Sequence, residues 1–357
     1  MKNKIIYTFL ITFLFFNIFE VNTMAQKIRP IRDNVGFSWY PKEMNMFMSY
    51  LKKHNRNTKS FPSKNLVAAI SPHDDYLYAG NVYYPLYKLI KTKEVVIFGV
   101  THGTVRRAMN DPKNILIFDD YKLWHGPYGN VKVSPLRNKI KKELNSNYFM
   151  VSDKAQNIEH SIEALVPFLQ YYNRDIKITP IMVTQMPYKR MEKISDDISK
   201  IIIDYIKDNN LKLGKDIFFL ISTDADHYGK DFDNAPFGED KKAHKEATDL
   251  DKKIASKTFN GLLTEKRLKY LTGELWQVKN KKPKTLWCGR YPVPFGLLTT
   301  FKITTALFNK NLTGQVFKYS DTYTEGVIPI KGTHLGLTAP FSLKHWVGFL
   351  SAGFYLK

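Results

Sequence analysis

Leu66 to Gly80 reads "LVAAISPHDDYLYAG". Five unbroken apolar residues, Leu66–Ile70, run into a proline, an imidazole, two carboxylates and two phenols. An unbroken apolar run, as opposed to an alternating one, is what a strand covered on both faces requires. The same form recurs at Glu94–Val100, Ile115–Phe118, Lys177–Val183 and Asp216–Ser222. Between these runs, Met191, Ile194, Ile198, Ile201, Ile202 and Tyr205 recur at helical spacing. Asp240–Phe259 and Gly296–Phe308 read as further helices, and Gln315–Ser320 and Val347–Leu356 as late strands. Strands alternating with helices predict an α/β fold, a three-layer domain around a central mixed, largely parallel sheet.

Three of the predicted strands deliver a histidine just past their ends. Leu66–Ile70 leads to His73, Glu94–Val100 to Thr101-His102-Gly103, and Asp216–Ser222 to Thr223-Asp224-Ala225-Asp226-His227. Parallel strands would set all three on one edge of the sheet, where open α/β folds bind ligands. Imidazole is the commonest protein metal ligand, and Cys288 in "LWCGRYP" could add a thiolate. The pattern points to a metal or a catalytic site.

Taken singly, each residue has a plainer role. Pro72 with Asp74-Asp75 suits a capped turn, Asp224 and Asp226 could cap a helix, and Cys288 could be a small buried hydrophobe. Ile158, Ile162, Leu165 and Leu169 form an apolar stripe beside Ser161, a helix N-cap by its type. His160 just before it either faces the crevice or is a polar end. The aromatic turn "DNVGFSWYP", Asp33 to Pro41, suits packing or a pocket wall.

The first residues have another logic. Lys2 and Lys4 precede an apolar run from Ile5 to Phe19, followed by Thr23-Met24-Ala25. This reads as a secretory signal peptide over residues 1–25, cut near Ala25, with a single domain over 26–357. An uncleaved anchor is the other reading, although the run falls short of the roughly 20 residues of a membrane span. The expected location is therefore the periplasm or cell envelope. Cys288 is the sole cysteine. The chain thus has no lipoprotein cysteine at the cut and no internal disulfide to draw on. The net charge of +21 loses two positive charges and one negative with Lys2, Lys4 and Glu20, leaving +20. Scattered lysines suit general association with anionic envelope surfaces and not nucleic-acid binding.

Six ordered blocks carry a family resemblance: "GFSWYP" (36–41), "PHDDYLYAG" (72–80), "FGVTHG" (98–103), "EHSIEALVPFL" (159–169), "STDADHYG" (222–229) and "CGRYPV" (288–293). Together they resemble the Memo family, which includes the B protein of the AMMECR1–Memo–radical-SAM system. The resemblance implies a fold similar to the class III extradiol dioxygenases and a metal pocket of two histidines and one cysteine, here His73, His102 and Cys288. It also implies that Asp224 and His227 line the pocket, His227 as an acid/base group, with His160 close by. It further implies copper or iron binding and redox activity. Two departures stand out. The family's Pro-His-Ala-Gly-Tyr is here Pro72-His73-Asp74-Asp75-Tyr76, and a histidine common after His102 is Gly103. The export signal also departs from the cytosolic habit of familiar members.

The expected function is a metal-dependent redox protein holding one transition-metal ion, copper or iron, with zinc a third option. His227 would move a proton, and Asp224 or the Asp74-Asp75 pair would orient a histidine. The alternatives are a metallohydrolase and a non-catalytic protein that holds a small-molecule or peptide ligand in the same pocket.

Overall fold

Four of the predicted apolar runs form the middle of one sheet. In the computed structural model, which describes residues 27–55, 60–277 and 282–357, neighbouring strands run in the order Lys177–Val183, Glu94–Gly99, Ile217–Ser222, Leu66–Ser71, His345–Leu356 and Leu312–Asp321. The first four are parallel, with Ser71 opposite Ser222 and Phe98 opposite Ile221. His345–Leu356 pairs antiparallel with Leu66–Ser71 and Leu312–Asp321, and Leu116–Phe118 runs antiparallel to Lys177–Val183, so the sheet is mixed. The predicted signal peptide lies outside the described residues. No helix among those described is long and apolar enough to cross a membrane.

The unbroken apolar runs are explained by what lies on each face. Ile70, Val96, Phe98, Phe219 and Ile221 enter one core with the helices Tyr188–Asp208, Lys241–Phe259 and Pro292–Phe308. Their sequence neighbours Ala69, Val95, Ile97, Phe218 and Leu220 enter the other, with Pro41–His54, Tyr76–Tyr87 and Val166–Tyr172. Successive strand residues point to opposite faces, so a sheet between two helical layers needs apolar side chains at every position. Burying each of the larger ones stabilises the fold by about 1.5–3 kcal/mol. In Tyr188–Asp208 the stripe from Met191 to Tyr205 is the buried face, as its spacing predicts. Asp240 caps Lys241–Phe259 by accepting from the Ala243 amide at 2.8 Å.

Two local expectations fail. Asp224 and Asp226 cap no helix; they belong to a strand, Asp224–Gly229, that pairs antiparallel with the far C-terminal strand, His227 opposite Val347. Its partner lies over a hundred residues away, so tertiary pairing overrides the local turn signal. Ser161 caps no helix either. Its hydroxyl accepts from the Val100 amide at 3.0 Å, and the helix there begins only at Val166, after a short 3-10 turn at Glu163–Leu165.

Candidate metal centre

The parallel pairing brings the strand-end histidines to one edge. His73 leaves its strand through Pro72, and its ring is 1% exposed. The His73 amide donates to Asp224 Oδ1 at 2.9 Å, and its Nδ1 lies 2.7 Å from Ser222 Oγ. Ser222 spends its one hydroxyl proton on the Ser161 carbonyl at 2.6 Å, so it must accept from His73 Nδ1–H. Burial, reinforced by His102 and His160, holds this imidazole neutral, its pKa well below the usual histidine value. A neutral ring with its proton on Nδ1 leaves the Nε2 lone pair free to bind a metal. Asp224 Oδ2 and Cys288 Sγ each lie 3.3 Å from that Nε2.

His102 is set by a different partner. Its Nδ1 meets Glu159 Oε1 at 2.7 Å, and its amide donates to Glu159 Oε2 at 3.0 Å. Burial alone would lower the His102 pKa, but the charge of Glu159 and contact with Cys288 prevail and raise it well above the usual value. Glu159 also accepts from the amides of His160 and Ser161. Arg29, itself buried, donates to the Glu159 carbonyl at 2.6 Å. The His160 ring stacks on His102 with centroids 4.7 Å apart, and burial and then His102 push its pKa down to about 4.

Cys288 arrives from the far side of the pocket. Asp224 donates its amide to Sγ at 3.1 Å, and Sγ lies 3.5 Å from the Asp224 carbonyl. The next residue must be glycine, because a Cβ on Gly289 would overlap the Thr223 hydroxyl that the Gly289 amide contacts at 3.1 Å. Burial raises the Cys288 thiol pKa, with His102 opposing. Burial also pushes Asp224 up to about 7, against the His73 amide. His227 turns Nδ1 to the Ala225 carbonyl at 3.2 Å, and burial followed by His102 pushes its pKa down to about 4.

The approach to Cys288 rests on a buried carboxylate. Asp251 Oδ1 accepts from Thr285 Oγ1 and Trp287 Nε1, both at 2.7 Å. Its Oδ2 accepts from Tyr319 Oη and the Asp226 amide. Asp226 beside it takes the Leu286 amide at 2.7 Å on Oδ1. The loop before Cys288 is thereby pinned from two sides.

Among the described residues, two overlapping sets could hold a metal ion. The donor atoms of His73, His102 and His160 lie within 4.8 Å of one another, as do those of His73, Asp224 and Cys288. Five of the six residues expected from the sequence enter these two sets, which divide the expected trio of His73, His102 and Cys288 between them, and His227 lines the adjoining cavities. Those two cavities, of about 450 and 470 Å³, share His102, His160, His227 and Phe232 as a common wall. Sequence reasoning missed Glu159, Ser222 and Asp251 as positioning groups. An acid directly before His160 was the available signal for the first.

Residues 33–326 match the family model described as Memo-like protein, which is most of the chain. The chain belongs to the Memo-like family. It is 32% identical over 200 residues to a MEMO1 family protein of Aquifex aeolicus, covering 54% of this chain and 66% of that one. A MEMO1 family protein of Saccharolobus solfataricus is 30% identical over 201 residues, 53% of this chain and 65% of the relative. One of Pyrococcus furiosus is 30% identical over 179 residues, 49% of this chain and 57% of the relative. The matched stretches thus span two thirds or less of these relatives' length.

Asp74, Asp75 and Gly103 line the pocket of this Memo-like protein. Asp75 accepts from the Thr338 amide at 2.6 Å and from its hydroxyl, tying the 338 segment to the His73 loop. Asp74 faces the 470 Å³ cavity and accepts from the Asp75 amide at 2.6 Å. Gly103 opens the short helix Gly103–Ala108 on the wall of the other cavity.

Proposed function

We propose that this Memo-like protein is a metal-dependent redox protein of the cell envelope. It would hold one ion, copper or iron, through His73, His102 and Cys288, and act on a small organic substrate. One observation carries the reading: both histidines are tied through Nδ1, to Ser222 and Glu159, so both offer Nε2 to a space that Cys288 Sγ also borders. Two imidazoles and a thiolate suit copper, iron or zinc over magnesium or calcium, and such an ion would supply redox change and an open coordination position. His227, neutral and with Nδ1 engaged, keeps Nε2 to accept a proton from a substrate in the shared cavity wall. Asp224 orients the His73 loop through its amide and meets the thiol segment through its own. Export is supported by the charged start, the apolar run and the Ala25 junction, and envelope association by the basic balance.

The test is elemental analysis of the mature protein taken from its own envelope, beside a Cys288→Ser variant, with oxygen uptake followed on candidate substrates. Less than about one ion per two chains, unchanged by the substitution, overturns the reading, since a built site binds close to stoichiometrically.

A second reading has its own observation. His73, His102 and His160 form an all-imidazole set, the kind that makes zinc-bound water a nucleophile at neutral pH. A hydrolase would release product without consuming oxygen.

A further inference from the structure

The 450 Å³ cavity is lined by Arg106, Arg107 and Arg290 and by no carboxylate. Among the described residues, the arginines that pair with an acid within 4.0 Å are Arg29 and Arg137, so these three stand outside every ion pair. Asp111, whose amide donates to the Arg106 carbonyl at 2.6 Å, turns its carboxylate to Lys113 at 2.8 Å instead. Arg290 spends a donor on the Trp287 carbonyl at 3.1 Å, and among the described residues the side chains of Arg106 and Arg107 spend none. These last two converge. A Cβ placed on Gly103 would lie 3.2 Å from Arg107 Nη1 and 3.8 Å from Arg106 Nη2, so the two nitrogens are no more than 7.0 Å apart, the sum of those distances. Like charges that close repel, and an anion between them turns the repulsion into two attractions. Val100, Val183, Phe232 and Leu286 give the same cavity an apolar wall.

We infer that this cavity takes a small carboxylic acid with an apolar body, its carboxylate bridging Arg106 and Arg107 over Gly103. The inference rests on the proposed function in taking this pocket as the ligand site, and it names the substrate class. A carboxylate has two oxygens, and each accepts from one guanidinium in a charge-assisted hydrogen bond. Guanidiniums stay charged at every working pH, so the anion site waits on no titration. Arg106 and Arg290 are half-buried, and a charged contact partly withdrawn from water is stronger than an exposed one. Small-ligand sites run from about 300 to 1,000 Å³ and combine apolar walls with a few polar groups that fix orientation, which is the composition here. His102, His227 and Cys288 line the same cavity, so the bound acid shares it with the proposed ion, whose charge would add to the same sign.

Phenylacetate, phenylacetamide and phenyl phosphate test this, each titrated at physiological ionic strength into the protein isolated with its native ion content and followed by ligand NMR. Phenylacetate should bind about tenfold more tightly than its uncharged amide, the difference made by charge-assisted hydrogen bonds. It should bind at least as tightly as phenyl phosphate. Arg106→Gln combined with Arg107→Gln should abolish the preference for the acid, with the fold intact by circular dichroism. Lys42→Gln, in a separate surface groove beside Pro329, should leave it, which distinguishes the cavity from the general attraction of a basic protein. Equal binding of acid and amide, binding of neither, tighter binding of the phosphate, or a preference that survives the double substitution overturns the inference. Repeating the titration after chelation, with ion content measured on the same samples, separates the two claims. A preference that vanishes with the ion and ignores the arginines assigns the carboxylate to the metal and refutes this inference alone. An arginine-dependent preference in protein that held no ion refutes the metal alone.

Discussion

Nδ1 of His102 and Oε1 of Glu159 meet at 2.7 Å in an ion pair whose acid is 2% exposed. Burial raises the Glu159 carboxyl, yet His102 and three backbone amides prevail and hold it well below the usual range. A folded pKa below the unfolded one contributes stability that is present above about pH 4.5 and lost as pH falls below it. Glu159→Gln should cost about 1.5–3 kcal/mol at pH 7 and remove this acid-side loss. Denaturant unfolding at neutral and acid pH checks both.

Asp226 should show the opposite sign. Burial first and Asp251 second raise its pKa well above 3.8, and Oδ2 has no hydrogen-bond partner among the described residues. The folded state then keeps a proton that the unfolded chain has released, so this group lowers stability as pH rises past 3.8. Asp226→Asn imitates the protonated acid. It should leave stability at pH 7 unchanged or raise it by up to about 1 kcal/mol, and should flatten the loss between acid and neutral pH. Thermal unfolding across that range is the measurement.

Ser222→Ala removes the acceptor that fixes the His73 tautomer and leaves Nδ1–H without a partner. Groups that orient a ligating histidine commonly carry 10–100-fold of metal affinity. A loss of that size in a chelator-competition titration, with the fold intact by circular dichroism, is the expected outcome. Unchanged affinity would mean that His73 does not bind the ion.

The two donor sets separate by substitution. If Cys288 is a ligand, Cys288→Ser should take the ion content below about half and His160→Gln should leave it intact. The reverse result identifies the three-imidazole set. In the metal-free protein, iodoacetamide should alkylate Cys288 more slowly than a free thiol at neutral pH, because burial raises its pKa.

Much of this architecture was legible because its signals are local. An apolar residue at every position of a five- to seven-residue run has few uses other than a covered strand, and the runs at 66, 94, 177 and 216 all become parallel strands. His73 and His102 could be placed at the edge because they follow those runs directly. The rest depends on partners remote in sequence. Asp224–Gly229 is a strand only because the C-terminal strand lies beside it. Asp251 sits among lysines in Lys241–Phe259, where an acid looks solvated, and is buried because Thr285, Trp287 and Tyr319 close over it. Glu159 draws its donors from two separate loops, so neither loop announces it alone.

The contact between His73 and Ser222 joins residues 149 positions apart, and it forms only where Ser71 and Ser222 pair at the ends of parallel strands. Such long-range pairing is slow, because loop closure must be achieved before any contact rewards it. The pocket therefore exists only once that pairing has formed. An ion arriving early would find isolated side chains and no cradle. Under the proposed function, ion capture would follow this strand pairing and could not guide it.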